Sequence, residues 1–170
     1  ICYLQTGNYP LALEYNLKSS VIFEKLDDEA SLAYIYSNLG LINKYQQNYA
    51  EALKFYKKSI AIRKKQNDKM GLCYNYINIG AIYDVQKDFG TALDYFIKAK
   101  DIAETENSIR ECAHAYNNIG SVYQEMNQYE KAMEYHLKSL AIMEKLESKE
   151  GVAMSYLNIG QAHQSKKEFK

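Results

Sequence analysis

Apolar residues recur along this chain at helical spacing, in blocks separated by short polar breaks. Ala33, Tyr36, Leu39, Gly40 and Ile42 share one face of a predicted helix that ends near Gln47. Asn48-Tyr49 opens a second helix, with Ala52, Leu53, Tyr56, Ser59, Ile60 and Ile62 inward, ending near Gln66. The pattern is then copied. Cys73, Tyr76, Ile79, Gly80 and Tyr83 are followed by Ala92, Leu93, Phe96, Ala99 and Ile102. Ala113, Tyr116, Ile119, Gly120 and Tyr123 are followed by Ala132, Met133, His136, Ser139, Leu140 and Ile142, and then by Ala153, Tyr156, Ile159 and Gly160. Ahead of these, Asn8-Tyr9-Pro10 reads as a turn into a helix carrying Leu11, Ala12, Tyr15, Ser19, Ile22 and Phe23, running to about Lys25.

Gly40, Gly80, Gly120 and Gly160 stand forty residues apart, and a constant period marks a repeat array. The breaks at 26–29, 67–68, 107–108 and 147–148 divide the chain into a partial repeat over 1–26, repeats over 27–66, 67–106 and 107–146, and a partial repeat over 147–170. Residues 1–7 align with Leu41–Gln47, so the chain is expected to begin inside a helix, and another would begin at Phe169. The fold expected is all-α: one α-solenoid of antiparallel helix pairs, about four repeats with truncated ends, stabilised by neighbour contacts.

A glycine inside a helix costs about 1 kcal/mol relative to alanine, so its recurrence needs a compensating contact. Close approach of the paired helix is that contact, with Ala52, Ala92 and Ala132 offering small surfaces and tyrosines filling wider space between pairs. Tyr9, Tyr49, Phe89, Tyr129 and Phe169 are expected to plug the seams. The helices at 9–25 and 149–166 should keep apolar surface uncovered, which predicts self-association through the array ends.

Lysine plus arginine equals aspartate plus glutamate at 21 each, so no overall field draws the chain to nucleic acid or an anionic membrane. No apolar run approaches the ~20 residues of a membrane-spanning helix. Cys2, Cys73 and Cys112 are odd in number and widely spaced, which suggests buried or free thiols rather than a disulfide framework or a zinc site, and with them a reducing compartment and a cytoplasmic location. His114, His136 and His163 have no metal-ligand spacing, and there is no phosphate loop, nucleophile elbow or carboxylate pair. No cofactor, metal or catalytic activity is expected. Lys54, Lys57, Lys58, Arg63, Lys64 and Lys65 make one helix basic, read here as a solvated outer face, with an anionic partner as the alternative.

The run Tyr76-x-x-Ile79-Gly80-x-x-Tyr83 with Ala92-x-x-x-Phe96 resembles the tetratricopeptide repeat, as do Tyr36-x-x-Leu39-Gly40 with Ala52-x-x-x-Tyr56 and Tyr116-x-x-Ile119-Gly120-x-x-Tyr123 with Ala132-x-x-x-His136. The period exceeds the usual ~34 residues, and Glu24, Lys64, Glu104 and Glu144 replace the closing proline, so the second helix should continue. This long form is similar to the repeats of kinesin light chains, of spindle-orientation adaptors that bind G-protein subunits, and of bacterial signalling proteins. HEAT and armadillo arrays share the period but not the Gly and Ala positions.

The resemblance implies that the first helix of each pair lines a concave groove. Carried over by position, the groove comprises Tyr34, Ser37, Asn38, Leu41, Lys44 and Tyr45; Tyr74, Ile77, Asn78, Ala81, Asp84 and Val85; His114, Asn117, Asn118, Ser121, Gln124 and Glu125; Met154, Leu157, Asn158, Gln161 and Gln164; and a remnant at Leu4 and Gln5. The aligned Asn38, Asn78, Asn118 and Asn158 have two readings: amides that hold the backbone of an extended peptide, or amides that bond neighbouring helices. Tyr34, Tyr45 and Tyr74 make the earlier half aromatic, and each has a packing reading as well. Lys44 is the groove's cation, so the paired basic residues with which some family members clamp a C-terminal carboxylate are not evident. The function expected is a non-enzymatic interaction module for a peptide or partner helix. The alternative is a structural, regulatory or dimerising segment of a larger signalling protein.

Overall fold

The computed structural model describes residues 9–168, in which eight helices follow one another: α1 (Tyr9–Lys25), α2 (Glu29–Tyr45), α3 (Tyr49–Lys65), α4 (Lys69–Val85), α5 (Phe89–Thr105), α6 (Ile109–Glu125), α7 (Tyr129–Lys145) and α8 (Lys149–Glu168). The expectations placed on residues 1–7, on Cys2, on the groove remnant at Leu4 and Gln5 and on Phe169 lie outside the described residues. The first seven helices are 17 residues long and start every twenty residues, which resolves the forty-residue repeat into two equal steps.

Each connector is three residues, and its middle residue is left-handed: Asp27, Gln47, Asn67, Lys87, Asn107, Asn127 and Glu147 have φ between 51° and 63°. None is glycine, although such a conformation ordinarily favours it. The conformation is held by paired backbone bonds that reach back over the helix end, such as Gln47 N to Lys44 O (3.0 Å) and Asn48 N to Asn43 O (2.8 Å). Asp28, Asp68 and Asp88 then cap the next helix by accepting from the N–H three residues on.

The chain divides into two compact units, one ending at Ile82 and the other beginning at Tyr83. In the first, α1 packs on α2 and α2 on α3, around Leu32, Ile35, Tyr36 and Leu39, with Leu13, Phe23, Phe55 and Ile62 against them. In the second, α5, α6, α7 and α8 pack in succession. Short connectors make each such neighbour antiparallel.

The glycine expectation is met with a different partner. A Cβ on Gly40 would lie 2.8 Å from the ring of Tyr56, and one on Gly120 would lie 2.8 Å from the ring of His136. The glycine therefore receives an aromatic side chain of the paired helix, rather than the alanine four residues before it. Tyrosines also pack within pairs as well as between them: Tyr83 stacks on Tyr95 (5.8 Å between centroids) and Tyr123 on Tyr135 (5.6 Å). Gly160 has nothing within 4 Å of its missing Cβ, and Tyr156 and Ala153 are exposed, because no further helix lies on that face of α8 among the described residues. Tyr15 and Ile22, expected inward, are likewise exposed on α1, while Ser20 is buried.

Glutamates at the former proline position do more than prolong a helix. Tyr36 Oη donates to Glu24 (2.8 Å), Tyr116 to Glu104 (2.5 Å) and Tyr156 to Glu144 (3.4 Å), each joining a second helix to the first helix of the next pair. The twelve-residue spacing that makes this possible is visible in the sequence once the register is known.

His136 is fully buried, with neither ring nitrogen hydrogen-bonded among the described residues. Burial lowers its pKa from 6.5 to about 4. The unfolded chain takes up a proton near pH 6.5 that the folded chain refuses until about pH 4, so stability falls as pH drops through that window. Phe96 shows that phenylalanine serves at the same repeat position. His136→Phe should therefore raise the melting temperature at neutral pH, by removing two unsatisfied polar atoms worth about 1–3 kcal/mol each, and should flatten the acid side of the profile. Thermal melts of both proteins from pH 7 to pH 4 check this.

Candidate functional site on the first helices of the pairs

In the first unit the groove positions fall into exposed aromatics and a half-buried set that is mostly apolar. Tyr34, Tyr45 and Tyr74 are 49%, 54% and 41% exposed, too much for purely internal packing. Leu41, Ile77, Ala81 and Asn38 are half-buried between them. Lys44 Nζ donates to Asn78 Oδ1 at 2.7 Å and sits 5.5 Å from the centroid of the Tyr45 ring, which stacks on Tyr9 at 5.7 Å. Partial burial lowers the Lys44 pKa. Asn78 is buried, and its Nδ2 donates to Tyr74 O at 3.0 Å, so this amide is taken up within the chain.

Ser37 does not belong to this surface. It is buried in a network that links three helices, donating to Asn75 Oδ1 at 2.8 Å. Ser59 Oγ donates to Ala33 O (2.8 Å) and accepts from Asn75 Nδ2 (2.8 Å) and Arg63 Nε (3.0 Å). The Arg63 guanidinium continues to Ser37 Oγ (3.3 Å) and pairs with Asp68. Arg63 is thus buried, not part of a solvated basic face, because Gly71 leaves the space its guanidinium occupies. Lys58 is exposed, as that expectation has it, and lies over Tyr36 and Phe55 at 5.0 and 5.9 Å. A hollow of about 600 Å³ opens beside Asn16, Phe23, Tyr34 and Asn38.

In the second unit Asp84 is half-buried with Oδ1 unbonded among the described residues. Burial raises its pKa, Lys87 opposes the shift, and Glu125 adds to it. Lys87 Nζ pairs with Glu125 at 2.6 Å. Asn117, Asn118, Ser121 and Gln124 are half-buried, and Asn158 Nδ2 donates to Asn117 Oδ1 at 2.7 Å. Val85, His114, Met154, Leu157, Gln161 and Gln164 are exposed. The structure therefore divides the four aligned asparagines: Asn78 and Asn158 are bonded within the chain, whereas no side-chain hydrogen bond to Asn38 or Asn118 occurs among the described residues.

His114, Asn117 and Met154 also border a cavity of about 370 Å³, with Arg110, Ser139, Met143 and Leu146 among its other walls. Sequence reasoning did not find it. Its signal is the pair Gly71 and Gly151, eighty residues apart, each accommodating the long side chain eight residues earlier, Arg63 or Met143.

Among the described residues no group of three or more His, Cys, Asp or Glu side chains could hold a metal ion, and no helix is long and apolar enough to cross a membrane. Cys73 and Cys112 are buried and in no disulfide.

The tetratricopeptide repeat family profile matches residues 1–65, 71–145 and 111–170. The chain belongs to the tetratricopeptide repeat family. This tetratricopeptide chain superposes on the crystal structure of BtubC (BKLC) from P. vanneervenii with a TM-score of 0.86 at 19% identity, covering 98% of this chain and 70% of that one. It superposes on the apo form of RapI with a TM-score of 0.86 at 15% identity, covering 98% of this chain and 46% of that one. The chain thus spans less than half the length of RapI, and at these identities the likeness shows the fold alone. No curated protein matches it in sequence. Tetratricopeptide repeats form a family of non-catalytic interaction scaffolds, and this chain is a protein-interaction module of that general kind.

Proposed function

We propose that the chain binds an extended peptide or a partner's helix over the first helices of its pairs, with no chemistry performed on it. The observation that carries this reading is the exposure of three tyrosines, Tyr34, Tyr45 and Tyr74, on the face that also bears Lys44 and Asn38. Exposed aromatics beside half-buried polar groups supply contact area at little cost in ordering, since each tyrosine has two side-chain torsions to fix. A scaffold whose helices are already packed adds little ordering cost of its own. Asn38 and Asn118, lacking side-chain hydrogen bonds among the described residues, are the amides available to a peptide backbone.

A second reading, association between copies, draws on the exposed Tyr15, Val21 and Ile22 of α1 and Tyr156 and Leu157 of α8. Clustered apolar exposure of this kind marks interaction surfaces.

With a peptide selected from an array, Asn38→Ala should weaken binding about tenfold, equivalent to ~1.4 kcal/mol, and leave the melting temperature unchanged. Asn78→Ala should instead lower the melting temperature, since it strips Lys44 of its partner. Unchanged affinity in Asn38→Ala would sink the groove reading. For self-association, sedimentation should show mass rising with concentration; a monomer at every concentration removes the second reading.

A further inference from the structure

The network around Arg63 in the first unit and the cavity beside Met143 in the second occupy the same place in the repeat, eighty residues apart. Ser139 stands where Ser59 stands, and its Oγ donates to Ala113 O at 3.0 Å as Ser59 Oγ donates to Ala33 O. In the first unit the lone pairs of Ser59 are filled by Arg63 Nε and Asn75 Nδ2. In the second, Met143 replaces Arg63, and Ser155 replaces Asn75 and turns its hydroxyl back to Gly151 O at 2.9 Å. Ser139, 1% exposed, is therefore left with acceptor capacity that no donor fills among the described residues. Asn117 stands at the place of Ser37, which accepts from Arg63 Nη2; its Oδ1 takes one N–H from Asn158 and keeps a second lone pair. The intervening copy closes the same place with small apolar residues, the buried Ala99, Ala103 and Ala115. One location is thus filled by arginine over Gly71, lined by buried alanines in the intervening copy, and filled over Gly151 by Met143, beside which a cavity of about 370 Å³ remains.

We propose that the open cavity takes the arginine side chain of a protein partner. Its guanidinium donates to Ser139 Oγ and Asn117 Oδ1, and its stem lies along Met143 and Met154, repeating between molecules what Arg63 does within one. Glu150, which also lines the cavity, stands in for Asp68. Arg110 lines it too and opposes any cation, so several N–H donors in one plane hold better there than the point charge of lysine. The proposal deepens the peptide-binding reading and rests on it only in drawing the arginine from a protein.

The test is a titration of the protein, labelled at its methionine methyl groups, with N-acetylarginine methylamide and with the citrulline counterpart of the same shape and no charge. The arginine compound should shift the Met143 and Met154 methyl signals with a dissociation constant of about 1 mM, as expected for so small a ligand, and the citrulline compound at least about fivefold more weakly, a difference of ~1 kcal/mol. The variant Met143→Arg/Ser148→Asp, which rebuilds the first unit's plug, should lose the response at Met154. No shift at either methionine, or equal shifts with both compounds, overturns the proposal, and the wild-type comparison decides even where the variant does not fold. An arginine-bearing peptide that binds wild type and plugged variant equally overturns the cavity while sparing the groove. Arginine-specific shifts without any peptide binding do the reverse.

Discussion

A helix that carries glycine opposite an aromatic ring can admit that ring into its own surface, and the packing of these helix pairs depends on this contact. Gly40 against Tyr56 and Gly120 against His136 leave no room for a methyl group. The glycine costs about 1 kcal/mol of helix propensity, while burying a large side chain completely returns about 1.5–3 kcal/mol. Burial wins, which accounts for a glycine kept without variation at forty-residue intervals. The same contact explains why a histidine with no hydrogen-bond partner among the described residues is tolerated: its ring fills the volume that tyrosine and phenylalanine fill elsewhere.

Around this contact, the regular twenty-residue step comes from helices of equal length and connectors of equal conformation. Every connector repeats the same left-handed conformation and the same pair of backbone bonds, so successive helices leave and enter each turn in the same way. Substitutions at a single repeat position then read as local chemical variants of one environment. Arg63 over Gly71 and Met143 over Gly151 show a long side chain set against a glycine across one such contact. The surface that faces a partner can vary in the same way without disturbing the pairs beneath it.

Most of the architecture was legible because helical periodicity and the glycine spacing report burial directly. Ala33, Leu39, Ile79 and Ile119 are buried as the pattern requires. What escaped was polar. Ser37 was placed on the groove by position, yet a hydroxyl can face either way, and only the presence of Arg63 and Asn75 decides that it turns inward. Arg63 looked like one more charge on a lysine-rich face because its space is provided by a glycine on the next helix. The four asparagines gave a clear pattern but no means of separating Asn78, which Lys44 engages, from Asn38, which no described side chain engages. Tyr15 and Tyr156 carry the core pattern yet are exposed, which the pattern alone does not show.

The most direct test of the glycine–aromatic contact is a double-mutant cycle between Gly120 and His136, read by denaturant unfolding. In the natural background Gly120→Ala should destabilise by about 1–3 kcal/mol, the cost of overpacking, despite alanine's better helix propensity. With His136→Ala already in place, the same change should reverse sign and stabilise by up to about 1 kcal/mol. An effect of equal size and sign in both backgrounds would contradict the account.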